Sequence, residues 1–281
     1  MAAAGGVVLG RGCGTRNDGG GPPEPPGPEP VVELTSSPAL YDDFEGNGNL
    51  QTFDGRNLAV AGAISPKIWG PSSGARVVES PALGPESPMA RHYLELSSAA
   101  SGYESAWLIN PMITTFAEFR SLSADVCLAA DPATISPYAF LNFHTTIPEQ
   151  PPGKSWLVNL GLIRDPSGRV FIIGEYRNIN LGTIVADDLG PALLEEWHNL
   201  RLDVIIGRDD PDLSLTEIRL DYYVDGALRA SRVPEDSAIL IDPQRTGLGP
   251  HRSLIVTGQK GTGLIIGRFD NVRAVYGDRI S

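Results

Sequence analysis

The sequence predicts an all-β protein built as a sandwich of antiparallel strands. Three observations carry this. From Leu40 to Tyr276 short apolar runs alternate with Gly, Pro, Asn and Asp clusters at spacings of roughly 8–15 residues, the pattern of stacked ribbons joined by turns. No stretch sustains the 3.6-residue period of a helix. The chain also holds 32 Gly and 24 Pro in 281 residues, which favours turns over helical bundles.

The elements follow in order. Leu40-Tyr-Asp-Asp-Phe-Glu-Gly reads as the first strand, and Ser123-Ala-Asp-Val-Cys-Leu-Ala-Ala as an apolar one. Tyr138–His144, Ser155–Ile163 and Arg169–Arg177 are three more. The last two are joined by Asp165-Pro-Ser-Gly, a good hairpin turn. Gly190–Trp197 is the one helix candidate, of one or two turns. His198–Ile206 and Glu217–Val224 follow, the latter turning at Asp225-Gly226 into Ala227–Ala230, because an Asp-Gly pair supplies the positive φ that a tight hairpin needs. Gly267–Tyr276 is the last strand.

Alternation assigns faces. Leu200, Leu202, Val204 and Ile206 share one side of their strand, and Asn199, Arg201 and Asp203 the other. Ile218, Leu220, Tyr222 and Val224 likewise oppose Glu217, Arg219 and Asp221. If the two strands are neighbours, their polar faces form a ladder of opposite charges.

Composition bounds the partners. The chain has 22 basic against 34 acidic residues, a net charge of −12, which argues against nucleic acid. No apolar run is long enough to span a bilayer. Residues 1–37 separate from the rest: an apolar start, then Gly/Pro/Glu-rich linker. Residues 38–281 carry the core of a single domain. Of the two cysteines, Cys127 sits in a strand and reads as a buried thiol. Cys13 follows Ala2-Ala-Ala-Gly-Gly-Val-Val-Leu-Gly-Arg-Gly and precedes the linker. That order resembles a bacterial lipoprotein, with Cys13 lipidated and the domain displayed outside the cytoplasm. It departs from that pattern in lacking a basic start and in having Gly10 and Arg11 before the cysteine, so an incidental Cys13 in a plain tail stands beside it.

Three stretches together carry a family resemblance: Trp197-His-Asn-Leu-Arg-Leu-Asp-Val, Asp221-Tyr-Tyr-Val-Asp-Gly-Ala-Leu-Arg-Ala and Arg268-Phe-Asp-Asn-Val-Arg-Ala-Val-Tyr. With the opening at Leu40, the sequence resembles the concanavalin A-like (laminin-G-like) jelly roll over about residues 38–46 and 195–277. The resemblance implies a two-sheet antiparallel jelly-roll sandwich behind an N-terminal arm, with Trp197 in the core. It is weak on function, because the fold hosts lectins, glycan-binding modules, glycosidases, lyases and adhesion domains.

Three sites follow as expectations. Many sandwiches of this kind hold a Ca²⁺ where first and last strands meet, and Asp43, Glu45 and Asp270 offer hard oxygen ligands there. Asp209-Asp-Pro-Asp reads instead as a solvated hairpin tip. A sugar-binding face needs aromatic rings and planar polar groups; Tyr138, Asn142 and His144 share a side, and Asn159, Glu175 and Arg177 extend the patch from the next two strands. Trp69, Trp107 and Trp156 are further aromatic candidates. Hydrolysis in the glucanase branch needs carboxylates alternating on one strand. Glu217-Ile-Arg-Leu-Asp221 is the nearest approach, but Arg219 stands in the middle and a second Glu is missing. There is no Gly-x-Ser-x-Gly elbow, no phosphate loop at Gly258-Gln-Lys-Gly-Thr-Gly, and no metal spacing among the four histidines. The expected function is therefore an extracytoplasmic, non-catalytic carbohydrate-binding or adhesion module with a polysaccharide or glycan partner. A glycoside hydrolase or polysaccharide lyase, and a structural protein-interaction domain, are the alternatives.

Overall fold

A computed structural model describes residues 39–42, 44, 59–61, 68–69, 75–79, 92–99, 102–109, 119–147, 154–178, 183–207, 210–215, 217–235, 251–258, 260–261 and 263–276. No helix occurs among them. One sheet has nine strands. Its main path runs β15 (Ala227–Arg232), β14 (Ile218–Val224), β13 (Trp197–Ile206), β7 (Phe119–Ala130), β18 (Leu264–Tyr276), β1 (Ala39–Asp42) and β2 (Ala59–Ala61). β5 (His92–Ala99) pairs with the other half of β18 and carries β4 (Ala75–Glu79). The second sheet has seven strands in the order β12 (Thr183–Pro191), β11 (Val170–Asn178), β10 (Lys154–Arg164), β9 (Tyr138–Ile147), β16 (His251–Thr257), β6 (Tyr103–Ile109) and β3 (Ile68–Trp69). β8 (Thr134–Ile135) and β17 (Lys260–Gly261) form a small ribbon.

The ladders of both sheets are antiparallel. The chain passes back and forth between the sheets, and first strand meets last where Leu40 pairs with Ala274. This is the jelly-roll sandwich that the sequence implies.

Period-two alternation builds the core. Leu122, Ala124, Val126 and Leu128 of β7 and Leu200, Leu202, Val204 and Ile206 of β13 point inward from the nine-stranded sheet. Leu141 and Phe143 of β9 and Val158, Leu160 and Leu162 of β10 meet them from the other. At about 25 cal/mol per Å² of apolar area removed from water, these facing rows dominate the stability.

Both hairpins form at the expected turns. Asp225 and Gly226 have φ of 51° and 77°, the paired positive values of a type I′ turn. In Asp165–Gly168 the aspartate carboxylate accepts from the Ser167 amide at 2.9 Å and the Arg169 amide at 3.0 Å, and these bonds, with that from the Ser167 hydroxyl, hold its carboxyl below the ordinary range.

Three expectations are corrected. Gly190–Trp197 is not helical: β12 runs through Pro191, Glu195 takes a φ of 65°, and its amide donates to Leu128 O at 2.9 Å, so the segment turns onto β7 instead of coiling. Trp197 is not between the sheets. It has the parity of Asn199 and Arg201, pairs with Cys127, and lies half-buried on the outer face against Tyr93, ring centroids 5.7 Å apart and edge to face. Cys127 beneath it is a buried free thiol, as expected, and burial pushes its pKa up. The β13–β14 ladder of opposite charges is also not what register produces. Asp203 faces Asp221, and the arginines pair along their own strands, Arg201 with Asp203 at 3.2 Å and Arg219 with Asp221 at 3.1 Å.

That like-charged pair has a pH consequence. Burial, with Asp221 opposite, raises the Asp203 pKa above its ordinary value despite Ser121 and Arg201. The folded state then binds more protons than the unfolded chain between the ordinary and raised values. Stability contributed here is lost as pH rises through that window. Asp203→Asn should raise the urea midpoint at neutral pH, with the difference vanishing below the ordinary carboxylate value. An equal difference at both pH values would refute this cause.

A second cost sits in the core. Tyr222 is fully buried, its ring packs on Gly174 of the opposite sheet, and its hydroxyl has no partner among the described residues. Burial raises its pKa strongly. A buried hydroxyl without a partner costs about 1–3 kcal/mol. Tyr222→Phe keeps the ring, so thermal unfolding should show a gain of about 1 kcal/mol; a loss would mean that a water satisfies the hydroxyl.

Candidate functional site

The outer face of the seven-stranded sheet carries the candidate site. Residues directly opposite one another share a face. Register places Glu175 of β11 opposite Asn159 of β10, Asn159 opposite Asn142 of β9, and Asn142 opposite Ser253 of β16. Ala186 of β12 continues the row past Glu175, and Trp107 of β6 continues it past Ser253. Six strands at about 4.8 Å each give a row about 24 Å long, of which the four central positions are polar.

The centre of the row is one hydrogen-bonded chain. Asn142 Nδ2 donates to Asn159 Oδ1 at 2.6 Å, and Asn159 Nδ2 donates to Glu175 Oε1 at 2.6 Å. Arg177 Nη2 lies 2.9 Å from Glu175 Oε1 and donates to Oε2 at 3.0 Å. Asn142, Asn159 and Glu175 are only 3 %, 7 % and 4 % exposed, unusual for polar side chains on the outer side of a sheet. Three planar groups from three strands thus form a floor, with the Arg177 guanidinium standing over its carboxylate end. Glu175 is placed as an acceptor on both oxygens, which is the role of an ionised carboxylate.

An aromatic wall borders the floor. In the next register row Phe140 faces Gly161 of β10 and Ile255 of β16, and Phe140 is buried. Tyr138 stacks on it, ring centroids 5.2 Å apart and planes 8° apart. A side chain at position 161 would run into Phe140 and the Ala139 carbonyl; its absence lets the Phe140 ring lie across β10. Phe140 and Gly161 were not singled out from sequence. Parity with Asn142 marks the first, and a lone glycine inside a strand signals close approach at the second.

The structure thus brings Asn142, Asn159, Glu175 and Arg177 together. Tyr138 shares their face but sits four residues from Asn142, about 13 Å along the strand. His144 occupies the adjacent row, its backbone between Leu157 and His251, with Arg177 opposite Leu157. Of the calcium ligands expected from sequence, Asp43 and Glu45 lie outside the described residues, as does Cys13. Asp270 is described: it is buried on β18 opposite Asp125, and accepts the Asn271 amide at 2.7 Å where Asn271 turns to a φ of 50°. Among the described residues no group of three or more metal-binding side chains occurs, and no helix is long and apolar enough to cross a membrane. At the acidic hairpin tip, Asp210 accepts the Asp212 amide at 2.9 Å and the Arg219 guanidinium at 2.5 Å, so its carboxylate is occupied within its own turn.

No protein-family model and no curated protein matches the chain. Solved structures to which it is similar include the laminarinase of Flavobacterium sp. UMI-01, at 10 % identity and a TM-score of 0.44, covering 84 % of this chain and 98 % of that one. The kappa-carrageenase of Pseudoalteromonas carrageenovora is similar at 9 % identity and a TM-score of 0.44, over 89 % and 98 %. The catalytic domain of an endo-1,3-beta-glucanase (laminarinase) from Thermotoga petrophila RKU-1 is similar at 12 % identity and a TM-score of 0.40, over 74 % and 79 %.

Proposed function

We propose that the protein is a carbohydrate-active jelly roll that holds a polysaccharide across the outer face of its seven-stranded sheet. The supporting observation is the Asn142–Asn159–Glu175–Arg177 chain. It is a preorganised strip of planar donors and acceptors whose geometry is fixed before any ligand arrives, with an aromatic border beside it. Preorganisation of this kind lowers the ordering cost of binding. Hydroxyl groups are read by such planar groups, and ring faces by aromatics.

A second reading, cleavage of the bound chain, is favoured by the position of Glu175. It is the carboxylate that ends the hydrogen-bonded strip, with a histidine position, His144, in the neighbouring register row. Hydrolysis requires a second carboxylate across the scissile bond. Elimination requires a base and a group that stabilises developing charge, roles for which a histidine and the Arg177 guanidinium have the right chemistry.

One experiment separates these. A panel of polysaccharides is run through affinity gels with the protein, and the same mixtures are assayed for reducing ends and for unsaturated products. Retardation without products supports a binding module. Products lost in Glu175→Gln support an enzyme. No retardation and no products with any polymer removes the proposal.

A further inference from the structure

We propose that the polysaccharide is anionic, carrying carboxylate or sulfate groups; this rests on the glycan-binding reading and names its substrate class. Glu175 has a side-chain exposure of 4 %, while the Arg177 side chain above it is 42 % exposed. A ligand arriving there meets the guanidinium, not the carboxylate.

Arg177 is also underused. Its Nη2 serves Glu175, whereas Nε is buried with no acceptor among the described residues. A ligand does not reach that Nε, but the exposed part of the guanidinium keeps a planar, charged donor edge of the kind that pairs with oxyanions.

The other carboxylate that the described residues place on this face is Asp188 of β12, opposite Ile173, and it is paired with Arg169. Both acids are therefore capped by arginine. The row that contains Arg177 continues through Leu157 to the backbone positions of His144 and His251. The chain as a whole bears a net charge of −12, whereas on this face the two carboxylates and the two arginines cancel, so the strip lacks the negative charge of the molecule. The exposed Arg177 guanidinium then governs specificity at contact range, because at physiological ionic strength the distant negative charges are screened beyond about 8 Å.

The test compares polymers matched in backbone: dextran sulfate with dextran, and polygalacturonate with a neutral galactan. Affinity is measured at physiological salt and again at about 1 M, where screening reaches about 3 Å. The expected result is preference for one or both charged polymers by about tenfold, lost at high salt, with the preferred polymer telling sulfate from carboxylate. Arg177→Gln should abolish the preference and Arg177→Lys should retain part of it, since it keeps charge but loses the planar fork. If Arg177→Gln does not fold, the charged-to-neutral ratio and its salt dependence in the unaltered protein decide alone. Equal affinity for charged and neutral partners overturns the proposal and leaves the glycan reading standing. Failure to bind any of the four polymers overturns the proposal, and the glycan reading falls with it only if the wider polysaccharide panel also shows neither retardation nor products.

Discussion

Asn159→Ala is expected to lower stability by about 2–4 kcal/mol and to remove polysaccharide binding. Asn159 is the middle link: it accepts from Asn142 and donates to Glu175, each at 2.6 Å, in a row less than a tenth exposed. Truncation leaves a buried amide donor and a buried carboxylate oxygen each short of a partner, and the larger part of the cost falls on the charged one. Urea unfolding with an unchanged slope would measure it. Loss of stability alone does not distinguish a binding floor from a structural tie between strands. Replacing the whole row does. Asn142→Leu, Asn159→Leu and Glu175→Met made together remove the buried amides and the carboxylate as a set and leave only the half-exposed Arg177 without its ion-pair partner, so most of the lost stability should return. Binding should stay lost. Binding that survives in this triple variant would show that the row is only structural.

How far this site could be read from sequence depends on which registers a tight turn fixes. The Asp165–Gly168 hairpin sets Arg164 opposite Val170, and counting back along both strands puts Asn159 opposite Glu175. That contact was legible. The Asn142–Asn159 pairing was not, because the sequence Pro148-Glu-Gln-Pro-Pro-Gly153 between the two strands spells no two-residue turn that would dictate a register. β16 beside β9 was less legible still: it arrives from more than a hundred residues downstream, and nothing local marks it as a neighbour. Faces were readable wherever alternation was followed strictly. It placed Leu200–Ile206 correctly, and the same count puts Trp197 outside, where the family resemblance had put it in the core. The charge ladder failed for a related reason. That the two strands are neighbours stood in the sequence only as a condition, and the offset that sets Asp203 against Asp221 depends on the longer connection between Ile206 and Ile218.

Gly161→Ala should cost about 3 kcal/mol, the upper end for forcing an extra carbon into packed structure. The position is an ordinary strand residue, so the cost does not come from backbone conformation. It comes from what lies beside it: the added carbon would stand 2.8 Å from Phe140 Cα, and it would press against the Ala139 carbonyl and the Phe140 ring. A ring can swing aside, but the two backbone atoms belong to β9, which is hydrogen-bonded to β10 along its length. Relief therefore requires the two strands to separate locally. In a domain of this size the loss corresponds to a fall in melting temperature of about 6–12 °C. The strain should also reach the site, because Asn142 and Asn159 form the next pair on the same face, two residues along the ladder, and their side-chain hydrogen bond spans the gap that must open. Weakened binding without any change in melting temperature would mean that Phe140 alone gives way and β9 does not move. Phe140→Ala combined with Gly161→Ala checks this from the other side. Removing the ring leaves the backbone contacts in place, so the double variant should stay about as unstable as the sum of its parts predicts, instead of rescuing the glycine substitution.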